Sequence, residues 1–63
     1  MKSIIVNVYN GKVCLDLYDG DENTLCIPVD TSAAKFLFVA IEQAVQDIEL
    51  GRHFKPMEIP YAS

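Results

Sequence analysis

Between Ile4 and Leu17 apolar residues recur at every second position, with one interruption at Asn10-Gly11. Strict alternation is the mark of a strand with one buried face. Asn-Gly between two such runs favours a two-residue type I′ turn, because both central positions need positive φ. That turn fixes the register, setting Val8 opposite Val13, Val6 opposite Leu15 and Ile4 opposite Leu17 on one face. The other face then carries Ile5, Asn7, Tyr9, Cys14, Asp16 and Tyr18. A slip of one residue would mix the two sets, so the pattern selects this pairing.

Asp19-Gly20 offers a second turn. A tight turn there would place Leu17 opposite Glu22, whereas a five-residue loop from Asp19 to Asn23 pairs Leu17 with Leu25, Leu15 with Ile27 and Val13 with Val29. The expectation is therefore the longer loop, with strands at 3–9, 12–18 and 24–29 and the second strand central. Pro28 cannot donate to a ladder, which makes the third strand an edge.

From Asp30 onward the period changes. Asp30, Thr31 and Ser32 offer an N-cap, residues 32–50 read as a helix, and Gly51 is the expected residue just past its end. Ala34, Leu37, Phe38, Ile41, Ala44, Val45 and Ile48 fall in one stripe at about 100° per residue, expected to cover the apolar sheet face. Residues 52–63 contain Pro56 and Pro60 and read as an extended tail, with Phe54, Met57, Ile59 and Tyr61 free to pack. The predicted fold is a single α+β domain: a three-stranded antiparallel meander, one helix across it (βββα) and the tail.

The helix carries more apolar surface than one face needs. Phe36, Val39, Gln43 and Leu50 lie opposite the first stripe, and beside them Ala33 and Ala40 would let another backbone come close. The tail, another chain or solvent could meet this face. A 63-residue chain buries only about 60% of its unfolded surface and commonly needs a staple or a partner, so association is the expected answer. Ile5, Tyr9 and Tyr18 make the outer sheet face a second candidate for contact, since Tyr joins large area to a polar tip.

Charge and composition narrow the function. A net charge of -4 with five scattered basic residues argues against direct binding to nucleic acid. No stretch reaches the roughly 18 apolar residues of a membrane span, and the start of the chain does not read as an export signal. The cytoplasm is the expected location, and in its reducing conditions Cys14 and Cys26 read as ordinary thiols. His53 is the only histidine, too few for a zinc site within one chain. It reads as a cation near the helix end, with no nucleophile spaced to use it. Asp19, Asp21, Glu22 and Asn23 lack the spacing of a calcium loop. Neither metal nor cofactor is expected.

These readings point to a small non-enzymatic protein-interaction module. The expected form is a self-associating inhibitor or accessory subunit, as a homodimer or docked on a larger protein. Small acidic chains without motifs are frequent among phage-encoded inhibitors of host proteins, which suggests a viral origin. The alternatives are an antitoxin-like regulator, for which no basic DNA-binding segment is present, and an acidic mimic of nucleic acid.

Overall fold

The computed structural model describes residues 1–61. Strands β1 (Lys2–Tyr9), β2 (Lys12–Asp19) and β3 (Glu22–Val29) form one antiparallel sheet in the order β1-β2-β3, followed by helix α1 (Thr31–Glu49). The predicted meander and helix are present.

The first hairpin has the expected register: Val8 faces Val13, Val6 faces Leu15 and Ile4 faces Leu17. Asn10 and Gly11 both have positive φ, 49° and 74°, as a type I′ turn requires.

The second hairpin corrects the expectation. Its turn is tight, with only Gly20 and Asp21 between paired Asp19 and Glu22. Leu17 nevertheless meets Leu25, as the apolar pattern demanded, because Tyr18 pairs with Asn23 and Thr24 is left over as a bulge. A bulge inserts one residue and resets the alternation by one. The Thr24 hydroxyl donates to the Leu17 carbonyl at 3.3 Å, so the interrupted ladder keeps a partner there. Pro28 lies on edge strand β3, as its missing N–H requires.

Asp30 is the N-cap residue, but its carboxylate makes no capping bond and instead pairs with Lys12 at 3.6 Å. Its carbonyl accepts from the Ala34 N–H at 2.8 Å and opens the helix. At the other end Gly51 has φ 67°, its N–H donates to the Ile48 carbonyl, and the Arg52 N–H donates to the Asp47 carbonyl at 2.8 Å. This is the Schellman arrangement, and it ends the helix where Gly51 predicted.

The helix is rotated from its predicted setting. The seam that faces inward is Ala33, Leu37, Ala40, Ala44 and Asp47, at intervals of 4, 3, 4 and 3. Phe38, Ile41, Val45 and Ile48, expected to cover the sheet, are all exposed, Ile48 to 78%. The helix touches chiefly β2. Its first turns and the tail gather over the β2–β3 half of the sheet, where Ala33, Leu37, Ile59 and Tyr61 line a cavity of about 260 Å³ with Leu15, Ile27 and Val29. The β1 half stays bare, with Val6 67% exposed and Ile4 and Val8 similar. Asp30 is the only residue between β3 and α1, so the first helical turn is held beside β3, about two strand spacings (roughly 10 Å) from β1.

Among the described residues no large side chain is fully buried. The Cα radius of gyration is 13.6 Å, against about 10.6 Å for a compact chain of this length. The molecule is a slab of 35 × 31 × 14 Å.

Candidate interaction surface

Three surfaces expose apolar side chains. The largest joins the bare sheet half to the outer helix seam. Ile4, Val6 and Val8 stand on β1, and Val8 pairs with Val13. Val13 in turn lines a hollow with Thr31, Ala34, Lys35, Phe38 and Val39. From Phe38 the seam continues through Ile41, Val45 and Ile48, again at heptad intervals. Between Ile4 and Val8 and between Phe38 and Ile48 neither stripe contains a charged residue; Lys2 ends the β1 face and Lys35 borders the hollow.

The second surface holds the predicted helix patch. Phe36, Val39 and Leu50 are exposed, Phe36 to 68%. Ala33 and Ala40, expected beside them as an approach for another backbone, are buried inside the chain and unavailable to one. Gln43 is half-buried and donates from Nε2 to the Asp47 carboxylate at 3.0 Å. The tail comes back along this flank, so that Ser32, Phe36, Val39, Met57 and Pro60 border a groove of about 600 Å³. The tail narrows the flank without covering Phe36.

The third surface is the opposite sheet face. Ile5 and Tyr9 are exposed and Tyr18 is half-buried. Between them Cys14 and Asp16 are buried, because their cross-strand neighbours, Asn7 and Pro28 for Cys14 and Ile5 and Cys26 for Asp16, flank short side chains on the central strand. Both cysteines are free thiols. Cys26 sits opposite Asp16, and its pKa is pushed up from 9.0 to about 11. The causes are first a hydrogen bond to that carboxylate, then desolvation, then repulsion from it. A thiol held protonated in this way is a weak nucleophile and a weak metal ligand.

At the far end of the helix Asp47 is buried, its side chain 10% exposed, and its carboxylate pairs with the Arg52 guanidinium at 3.2 Å. This pair and the Gln43 bond neutralise the one charge on the inner seam. His53, four residues past the helix, is exposed. No group of three metal-ligating side chains occurs among the described residues. Among the described residues no helix is long and apolar enough to cross a membrane.

Sequence reasoning pointed to Phe36, Val39 and Leu50 and missed the larger strip, because it assigned Ile4, Val6, Val8, Phe38, Ile41, Val45 and Ile48 to the core. A usable signal was present. Ala33, Ala40 and Ala44 form a small-residue seam one position away from the bulky one, and small residues let a helix approach its own chain closely. No protein-family profile, curated protein or solved structure matches this chain.

Proposed function

We propose that the chain is a non-enzymatic protein-interaction module, acting as an inhibitor or accessory subunit through its uncovered apolar strip. The observation that carries this reading is the continuity of that strip from Ile4, Val6 and Val8 on β1 to Phe38, Ile41, Val45 and Ile48 on α1. Monomeric proteins rarely expose apolar patches beyond a few hundred Å², and larger ones mark sites of association. With 16 large hydrophobic residues exposed, several of them contiguous, the chain exceeds what scattered surface residues explain.

The test compares the tagged chain with a Phe38→Asp, Val45→Asp variant expressed in the source cells. A protein recovered in stoichiometric amount with the first and lost from the second is the expected result. Recovery of no heterologous protein by either would overturn the inhibitor and accessory-subunit reading.

A further inference from the structure

We propose that the strip is closed by a second copy of this chain, in a two-fold dimer where each helix lays Phe38, Ile41, Val45 and Ile48 on the other copy's Ile4, Val6 and Val8. This rests on the interaction reading above and gives the strip to self-association: a foreign protein is then recovered by the assembled dimer, and a variant that breaks the strip loses both.

The area argument comes first. The chain exposes 5319 Å², where a compact monomer of this mass exposes about 4,000 Å². The surplus of roughly 1,300 Å² per copy belongs to the whole slab, tail included, and twice that area falls within the range of about 2,000–5,000 Å² that obligate dimers bury. A single chain of ordinary shape has no such surplus to dispose of.

Complementarity decides the arrangement. The chain presents an apolar helix seam with no sheet beneath it and an apolar half-sheet with no helix above it. Each is the cover the other lacks. A two-fold interface requires that where one residue meets a second, the second meets the first in return. Helix on sheet, applied twice, meets that condition and covers both stripes. Helix against helix alone would leave Ile4, Val6 and Val8 in water. The one-residue link at Asp30 explains why the cover comes from another copy, since it keeps the first helical turn on the β3 side. From Ile4 to Val8 on β1 and from Phe38 to Ile48 on α1 the two stripes carry no charge, with Lys2 and Lys35 at their margins, which suits an apolar interface centre with a polar rim.

Sedimentation equilibrium of the purified full chain is the deciding measurement. The expected mass is twice 7.0 kDa, with a melting temperature that rises with concentration. Phe38→Asp with Val45→Asp should lower the mass to that of one chain or prevent folding. Phe36→Asp with Leu50→Asp, on the other flank, should leave the dimer intact. The arrangement is read by mixing a Val6→Cys chain with Phe38→Cys, Ile41→Cys and Val45→Cys chains in turn under mild oxidation. Disulfides between β1 of one copy and the helix of another are expected, identified by peptide mass. Helix-to-helix disulfides alone would overturn the arrangement. A folded monomer at tens of micromolar would overturn the dimer. If that monomer still recovered a stoichiometric foreign protein, the interaction reading would survive without it.

Discussion

Arg52 and Asp47 should respond unequally to mutation, because one is buried and the other is not. The Asp47 side chain is 10% exposed and that of Arg52 is 55% exposed, with 3.2 Å between nitrogen and oxygen. At an effective dielectric constant of about 20 the gross attraction at this distance is about 5 kcal/mol. Desolvation of the carboxylate cancels much of it. Arg52→Ala leaves the carboxylate enclosed with Gln43 as its remaining side-chain partner. Breaking a fully buried pair in this way costs about 3–5 kcal/mol, and an exposed pair is worth about 0–1 kcal/mol. With one partner half in water, about 2 kcal/mol is expected. Asp47→Asn removes the buried charge, lets Gln43 donate as before and releases Arg52 to solvent, so it should cost under about 1 kcal/mol. Urea unfolding followed by circular dichroism measures both, at one protein concentration because association adds to apparent stability. With a slope of about 1 kcal/mol per molar, Arg52→Ala should lower the midpoint by about 2 M. Equal losses, or a larger loss for Asp47→Asn, would refute the assignment of the pair as one-sidedly buried.

Three further outcomes are expected. Gly51→Ala should cost about 1–2 kcal/mol in the same urea experiment. At Gly51 φ is 67° and an added Cβ meets nothing within 4 Å, so a larger loss would mean contact and not backbone strain. Native Cys26 should react with iodoacetamide at pH 9 roughly fifty-fold more slowly than in the unfolded chain, since a pKa near 11 leaves about one thiolate in a hundred. The fold favours the protonated thiol, so this contribution to stability is complete below about pH 9 and fades as pH rises towards about 11. Peptide-resolved labelling at equal rates in both states would contradict the Asp16 contact. His53→Ala should shift the unfolding free energy by less than about 0.5 kcal/mol, as exposed positions do, and leave partner capture unchanged. Loss of capture with an intact fold would give His53 a role in contact.

Strand order and register were legible because their determinants are local. Asn10-Gly11 sets a turn and the alternation around it sets a face. The tight second turn was missed for a related reason. A turn at Asp19-Gly20 would set Glu22 opposite Leu17; the actual turn lies one residue on, at Gly20-Asp21, and the extra residue at Thr24 brings Leu25 opposite Leu17. The helix end was legible through Gly51. Its rotation was not. Ala33, Leu37, Ala40, Ala44 and Asp47 lie one position from Ala34, Phe38, Ile41, Val45 and Ile48, and periodicity ranks the second set higher because its side chains are larger. Apolarity marks which residues leave water without saying whose surface receives them. Ala33 and Ala40 were placed in a contact patch because they lie beside Phe36 and Val39 and allow close approach; the surface that approaches them belongs to their own chain.

The two edges of the sheet are not equivalent. On β3, Pro28 withholds a donor and the Thr24 bulge breaks the repeat, so a further strand would find an irregular rail there. β1 runs from Lys2 to Tyr9 in unbroken register and contains no proline. Growth of the sheet is therefore polarised. If the apolar face of β1 is uncovered, for example in variants of Phe38 and Val45, strands would add at residues 2–9 and nowhere else on the sheet. Aggregates of such variants would be built from pairs joined β1 to β1, each closed at its far side by a proline, and their growth would stop at short assemblies before reaching fibres.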